Sequence, residues 1–211
     1  MVTLDIANMF AITFLFLISA VLVVPTASLT SVTGEQLTEF TADDLRSLCP
    51  NDYKFCAEKI AEGRCFGNSK RAGELKRKCA CSCNAAHHKR IQNCCSTVGR
   101  AEMQFCLPLC AYNTTLTELG GSLGLKCVSQ LTTWAYCAAD AQDNTACCRA
   151  KGVPEQCLSF CKGEAPTCDV QSIFSYKPCL KEMDKITTCQ KENLAQQPQF
   201  DATWEAPCDW E

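Results

Sequence analysis

The sequence of 211 residues contains only two histidines, His87 and His88, which are adjacent. General acid–base catalysis near neutral pH most often uses histidine. This pair lies beside Lys89 and Arg90, so we interpret it as part of a solvated loop. No cysteine stands apart from an even set as a nucleophile for a histidine base. We therefore expect no enzyme activity and no cofactor.

Long apolar runs are also scarce, since the one apolar run of 16 residues without a charge is Met9–Val24. That length is short of the ~20 residues that cross a bilayer. Small residues at positions 26–28 follow it, as in a cleavable secretory signal. We predict a signal peptide over residues 1–28, a secreted extracellular protein and no membrane span after cleavage. The alternative is an uncleaved anchor, because Asp5 replaces the usual basic residues and Pro25 precedes the cleavage site unfavourably.

Cysteine, in contrast, is abundant, with 20 in 211 residues. This fraction is typical of disulfide scaffolds in oxidising compartments. Alternating apolar and polar residues, the pattern of strands, are scarce, whereas apolar residues three apart are frequent. We therefore predict a small, disulfide-rich all-α fold.

Twelve of these cysteines form one pattern written twice, with corresponding cysteines 51 to 53 residues apart. Each copy reads CC-x3-G, C-x3-C and, 16 or 17 residues later, C-x9-C. The register predicts two tandem six-cysteine helical repeats, at 94–137 and 147–189, with corresponding disulfide connectivity. Which of the fifteen pairings each copy uses stays open. The cysteines are Cys94, Cys95, Cys106, Cys110, Cys127 and Cys137, then Cys147, Cys148, Cys157, Cys161, Cys179 and Cys189.

Local signals place short helices and turns along the chain. Thr41 followed by Asp44 resembles a capping box and predicts a helix from Ala42 to Leu48. Gly99 and Gly152 follow their Cys pairs at the same offset, where the chain has to turn sharply. Trp134 and Tyr136 suggest a ligand platform, but aromatic residues on a helical stripe favour a core role.

A further six cysteines precede the repeat in a block too small to fold without bridges. They are Cys49, Cys56, Cys65, Cys79, Cys81 and Cys83. The run from Cys49 to Cys65 resembles the ShK toxin-type domain, although the last three cysteines are more closely spaced than in that family. The resemblance implies bonds Cys49–Cys83, Cys56–Cys79 and Cys65–Cys81. The Lys-Tyr pair with which some members block channels is missing between Cys65 and Cys79, which disfavours channel block. The close cysteines and the two histidines also suggest a metal site, but bridges would consume the thiols, so we predict none.

The repeat itself resembles the DB module of nematode secreted and cell-surface proteins. The resemblance rests on all twelve cysteines and on the motifs W-x-x-C-A-A-D at 134–140, D-N-T-x-C-C at 143–148 and G-V-P-E-Q-C-L-S-F-C at 152–161. It implies an extracellular module without an established biochemical activity, and it supplies no catalytic residues. Secreted phospholipases also carry a CC motif, but theirs continues with a His-Asp pair that is missing after Cys95 and Cys148.

The sequence thus divides into a signal peptide (1–28), a linker with a short helix (29–48), the ShK-like block (49–90), the DB-like module (91–190) and an acidic tail (191–211). Residues 49–90 carry ten Lys or Arg against four acids. These bases are candidates for a polyanion site, but without aromatic interleaving we favour a solvated face and predict no nucleic-acid binding. The candidates are Lys70, Arg71, Lys76, Arg77, Lys78, Lys89 and Arg90.

Two modifications complete the predictions. Asn113 begins the one N-x-S/T sequon and is a predicted glycosylation site. Cys168 and Cys208 belong to neither cysteine set, and we predict that they bond to each other; intermolecular bonds in a covalent dimer are the alternative.

We expect a monomeric, non-catalytic interaction or matrix protein that binds an extracellular protein or receptor. A toxin-like or signalling effector acting through the ShK-like block is the alternative, and a hydrolase is least favoured.

Overall fold

The computed structural model describes residues 40–115, 117–118, 121–165 and 174–207. These residues all belong to one compact unit, Leu37–Glu211. The predicted signal peptide lies outside the described residues. Among the residues described, no helix is both long and apolar enough to cross a bilayer.

The described residues form α-helices and 3-10 helices and no strand, which confirms the prediction of a disulfide-rich all-α fold. The α-helices are α1 (Ala42–Leu48), α2 (Cys56–Ala61), α3 (Lys70–Lys78), α4 (Ala80–Val98), α5 (Ala101–Cys106), α6 (Ser122–Lys126), α7 (Leu131–Ala139), α8 (Thr145–Ala150), α9 (Leu158–Cys161) and α10 (Met183–Asn193). Stretches of 3-10 helix cover Leu107–Leu109, Val128–Gln130, Glu155–Cys157 and Phe174–Glu182.

Helix α1 begins where its capping signal predicts. The Asp44 amide donates to Thr41 Oγ1 over 3.2 Å, and the Thr41 amide donates to Asp44 Oδ2 over 2.9 Å. This reciprocal capping box satisfies backbone donors that a helix start leaves without partners. The predicted helix from Ala42 to Leu48 is confirmed.

Three buried clusters make up the core. One joins Leu45 of α1 to Ile60 and Leu75 of the ShK-like block. Another gathers the first repeat around Ile91 and Met103, and a third gathers the second repeat around Leu158 and Ile186. Trp134 packs against both repeat clusters, so the core role predicted for it holds.

Helix α4 links the first two clusters, because Cys83 belongs to one and Ile91, Cys94 and Cys95 to the other. It is 19 residues long and runs without interruption across residues 90 and 91, where the sequence suggests a domain boundary. The ShK-like block and the repeat therefore share their longest helix.

Six disulfides have the same order in the two copies of the repeat. The first cysteine of each CC pair bonds to the last cysteine of its copy, and the second bonds to the second cysteine of C-x3-C. The bonds are Cys94–Cys137, Cys95–Cys110 and Cys106–Cys127, then Cys147–Cys189, Cys148–Cys161 and Cys157–Cys179. Neither CC pair bonds internally, so each pair ties its helix to two different segments.

The pairing in the ShK-like block differs from the family topology. Only Cys56–Cys79 agrees with it; the other bonds are Cys49–Cys81 and Cys65–Cys83 rather than Cys49–Cys83 and Cys65–Cys81. The physical reason is that Cys81 and Cys83 both lie in the first turn of α4, two residues apart and therefore on different sides of the helix. Each can then reach only the segment that its own side faces.

Gly99 and Gly152 each follow the helix that carries a CC pair, but glycine is required at the two turns for different reasons. Gly152 has φ of +72°, which favours glycine. Gly99 has an extended backbone, but a Cβ there would lie 2.3 Å from the Cys95 carbonyl oxygen and 2.5 Å from Met103 Cβ. The first turn needs glycine for close approach and the second for its backbone conformation.

The segment after α10 folds back onto the body. Leu194 is fully buried, and the Trp204 ring stacks on Tyr136 with ring centroids 4.1 Å apart. The Asp201 amide donates to the Tyr136 hydroxyl over 2.8 Å. Trp204 therefore reaches the repeat through its own contacts, while Trp210 lies outside the described residues.

We predict that non-reducing proteolysis and mass spectrometry will recover a peptide pair joining Cys168 to Cys208. Both residues lie outside the described residues, but the nine described bonds use the other 18 of the 20 cysteines. An alkylated Cys168 or Cys208, or a dimer band that disappears on reduction, would contradict this prediction.

Candidate functional site

The histidine pair is not in a solvated loop, and that interpretation is wrong. Both residues lie within α4, and His87 is only 4% exposed, packed edge-on against Phe66. Neither ring nitrogen of His87 makes a hydrogen bond of normal geometry. Burial, followed by the nearby charges of Lys76 and Lys191, lowers the pKa of His87 to about 3. A buried imidazole that stays neutral down to this pH is not suited to acid–base chemistry in solvent.

Nor do the potential metal ligands gather into a site. Within the described residues, no group of three or more His, Cys, Asp or Glu side chains is arranged to hold a metal ion. The thiols of Cys79, Cys81 and Cys83 are in disulfides with three different partners.

The candidate polyanion residues separate into inward and outward groups. Arg90 is buried, and its guanidinium stands 4.1 Å from the centre of the Phe66 ring. Lys76 donates to the Gly67 carbonyl over 2.9 Å and to the carbonyls of residues 191 and 192 at the end of α10. These two bases hold the fold together, so the expectation that they belong to a solvated face is wrong for them.

The outward bases lie on the solvent-facing side of α3. We call this the basic face; it consists of Lys70, Arg71, Arg77 and Lys78. Ala72 and Leu75 are buried on the opposite side of α3, and their packing orients the helix so that these four charged side chains face solvent. Glu74, the one acid of α3, bonds to Lys78 over 2.7 Å.

Exposed apolar side chains concentrate next to this helix. Of four large apolar side chains that are exposed in the described residues, three lie in one short stretch: Leu48 (54% exposed), Tyr53 (63%) and Phe55 (45%). The Tyr53 and Phe55 rings stack with centroids 5.6 Å apart and planes inclined by 13°. Because burial of such rings is favourable, a cluster of them in water is typical of an interaction site.

Covalent bonds and hydrogen bonds fix the segment that carries these rings, which we call the aromatic loop (residues 49–56). Its two ends are tied by Cys49–Cys81 and Cys56–Cys79. In its middle, the Asp52 carboxylate accepts bonds from the Ser82 amide (2.8 Å) and hydroxyl (2.7 Å). The loop is therefore held at three points against the end of α3 and the start of α4.

The aromatic loop and the basic face are adjacent. Cys56 bonds to Cys79, the residue that follows Lys78. The pKa of Lys78 is raised first by its bond to Glu74 and more weakly by Tyr53. Lys54 lies between the two rings in sequence and is exposed. The stacked aromatic rings thus lie beside Lys54 and beside the C-terminal end of the basic face at Lys78.

The aromatic loop was not among the sites predicted from the sequence. The feature of the sequence that marks this loop is the Tyr-Lys-Phe run within seven residues of Cys49. Cysteine spacing, however, does not indicate whether an aromatic ring in a small domain is buried or exposed. Leu45, Ile60 and Leu75 are buried in the neighbouring core cluster, whereas Tyr53 and Phe55 stay exposed.

We predict glycosylation at Asn113 in protein secreted from eukaryotic cells. The side chain of Asn113 is exposed, just after Tyr112, which is buried and bonded to the Ala138 carbonyl over 3.0 Å. The expected result is a mass decrease on N-glycosidase treatment that Asn113→Gln abolishes. Secreted protein of unmodified mass would contradict the prediction.

Comparison with protein families matches the DB module to residues 94–190, just under half of the chain. The match confirms the resemblance drawn from the twelve cysteines, whose positions it spans. The DB module is a cysteine-rich domain of unknown function. No curated protein and no solved structure matches the chain.

Proposed function

We propose that this is a secreted, non-catalytic interaction protein that binds another extracellular protein through the aromatic loop. The observation that carries the proposal is the stacked, exposed pair Tyr53 and Phe55 on a loop bonded at both ends. Aromatic side chains dominate binding energy at protein interfaces, and a rigid loop loses little conformational freedom when it binds.

The covalent structure supports an extracellular location. Nine disulfides within the described residues require an oxidising compartment to form and persist. The DB module is not known as a catalytic family. The buried His87 adds support, because it removes one of the two histidines from any exposed catalytic role.

The test begins with expression of the full chain in eukaryotic cells and analysis of the medium. We expect the protein to be recovered from the medium, with fully oxidised cysteines. The purified protein is then immobilised and exposed to solubilised extracellular and cell-surface proteins, beside the variant Tyr53→Ser/Phe55→Ser. Both changed side chains are exposed, so the variant should fold and be secreted as well as the wild type.

A protein that the wild type retains and the variant does not retain supports the proposal. Retention of the same proteins by both, or a protein that stays in the cells, contradicts it. As a control, Phe105→Ser changes another exposed aromatic ring, which is 61% exposed and lies in α5 of the first repeat. This change should leave retention unaltered.

A signalling effector is the second candidate, because the aromatic loop belongs to the six-cysteine block rather than to the DB module. The retained protein separates the candidates: a cell-surface receptor supports the effector, and a matrix component supports an interaction or matrix role.

A further inference from the structure

We infer that the aromatic loop and basic face bind an acidic protein segment that carries apolar side chains. This inference rests on the proposed function and specifies its partner. The surface it concerns consists of Tyr53, Phe55 and Lys54 of the loop with the basic face of α3.

The charge of this surface is largely uncompensated. Lys54, Lys70, Arg71 and Arg77 are exposed, and none of them forms an ion pair within the described residues. The nearby acids are already engaged: Glu74 pairs with Lys78, and Asp52 accepts bonds from Ser82. Glu58 on α2 pairs with Arg46. A partner that brings carboxylates would therefore meet cations that form no ion pair among the described residues.

The aromatic rings determine what else the partner has to provide. Removing two stacked rings from water lowers the free energy only when apolar groups of the partner cover them. A sulfated glycan supplies anions but no apolar side chains to cover Phe55. A lipid surface supplies both kinds of group, but anionic lipids concentrate in the cytoplasmic leaflet, which a secreted protein does not face. An acidic segment with an aromatic or aliphatic side chain satisfies both requirements.

The rings and the cations are expected to contribute to binding in different ways. The rings are fixed by the disulfides at both ends of the loop and by the Asp52–Ser82 bonds, so they are already in place before a partner arrives. Lys54 and the Lys78 end of the basic face lie beside the rings and are exposed to solvent, where opposite charge accelerates association and selects partners. Loss of the rings should therefore abolish most of the affinity, whereas loss of the cations should weaken binding in a salt-dependent manner.

The test uses a random peptide library displayed on phage, selected on the full secreted protein and counter-selected on Tyr53→Ser/Phe55→Ser. We expect the selected peptides to be enriched in Asp and Glu next to an aromatic or aliphatic residue. A synthetic peptide of the selected sequence should bind the double variant about 30-fold more weakly than the wild type. Its affinity for Lys54→Glu/Arg77→Glu should fall about tenfold at low salt, and less at high salt.

Two matched controls distinguish the surface from general charge and hydrophobicity. Phe105→Ser removes an exposed ring elsewhere, and Lys126→Glu reverses an exposed charge in α6. Neither change should alter peptide binding. Disulfide content and circular dichroism of every variant should match those of the wild type.

Four results would overturn the inference. Selected peptides without acidic enrichment, or with equal affinity for the double variant, contradict it directly. Binding to heparin that is lost in Lys54→Glu/Arg77→Glu but kept in Tyr53→Ser/Phe55→Ser assigns the surface to a polyanionic glycan. Binding to phosphatidylserine vesicles that both variants lose, without any selected peptide, assigns it to a lipid surface.

Failure of this inference is distinguishable from failure of the proposed function. If the immobilised protein retains an extracellular protein through Tyr53 and Phe55, but acidic peptides do not bind, only the partner's chemistry is wrong. If the double variant loses neither a protein nor a peptide, the proposed function fails with it.

Discussion

Replacing Asp140 with asparagine is expected to lower the free energy of unfolding by about 3 kcal/mol, because the change leaves a buried arginine without its counter-charge. The side chains of Arg90 and Asp140 are 3% and 1% exposed, and Arg90 Nη1 lies 3.4 Å from Asp140 Oδ2. Burial raises the pKa of Asp140, and Arg90 and the amides of residues 199 and 200 oppose this rise.

The Asp140 pair matters because both partners also hold the chain after α10. Arg90 donates to the Ala195 carbonyl over 3.2 Å and to the Gln196 carbonyl over 2.9 Å. Asp140 Oδ1 accepts a bond from the Gln199 amide over 3.1 Å. Loss of the charge should therefore loosen the segment that carries Phe200 and Trp204, as well as destabilise the protein globally.

Asparagine is the appropriate substitution because Asp140 ends α7 with φ of 51°. Asparagine tolerates this left-handed conformation better than alanine does, so the change tests the charge rather than the backbone. The measurement is urea unfolding of the oxidised protein, with limited proteolysis after Leu194 as the local readout.

Glu155→Gln is the matched control. Its partner Arg149 is 3.0 Å away, closer than the partners of the buried pair, but both side chains are more than half exposed. An exposed pair contributes about 0–1 kcal/mol, so this change should have little effect. Equal losses in Asp140→Asn and Glu155→Gln would show that burial does not govern the effect.

The buried pair Arg90 and Asp140 could not be predicted from the sequence. The class of fold, the helix from Ala42 to Leu48 and the DB module follow from local signals: helical spacing, a capping pair and cysteine register. Asp140 falls in the W-x-x-C-A-A-D motif, but its partners Arg90 and Gln199 are 50 and 59 residues away in sequence. No local pattern pairs residues at such separations.

The ShK-like block shows the same limit. Cysteine spacing identified six bonded cysteines, yet the choice between Cys81 and Cys83 as partner of Cys49 depends on which side of α4 each one occupies. The basic stretch was visible in sequence, but its division into inward Lys76 and Arg90 and the outward basic face depends on the packing of α3 and α4. The site is therefore a product of tertiary packing, and composition alone cannot separate it from a solvated surface.

Acidification is expected to destabilise the protein through His87. The pKa of this residue is lowered from 6.5 to about 3, with burial as the main cause and the charges of Lys76, Lys191 and Arg90 as further ones. Between these values the unfolded state binds a proton that the folded state does not bind. Stability from this group is therefore complete above the unfolded pKa and is lost as the pH falls from 6.5 towards 3.

The expected loss between pH 7 and pH 4.5 is about 2.5 kcal/mol, because each pH unit below the unfolded pKa costs about 1.4 kcal/mol. His87→Leu removes the titrating group and replaces an imidazole that makes no hydrogen bond of normal geometry by an apolar side chain against Phe66. The variant should therefore gain about 2.5 kcal/mol over the wild type at pH 4.5 beyond any difference at pH 7.

Urea unfolding of the oxidised wild type and His87→Leu at pH 4.5, 5.5 and 7 measures this difference. Other acidic and basic groups titrate in both proteins, so their contributions cancel in the comparison. His88→Leu is the control: burial also lowers the pKa of His88, but this residue is only partly buried, so its pH-dependent effect should be smaller. A stability difference between wild type and His87→Leu that does not change with pH would show that His87 is accessible to protons in the folded protein.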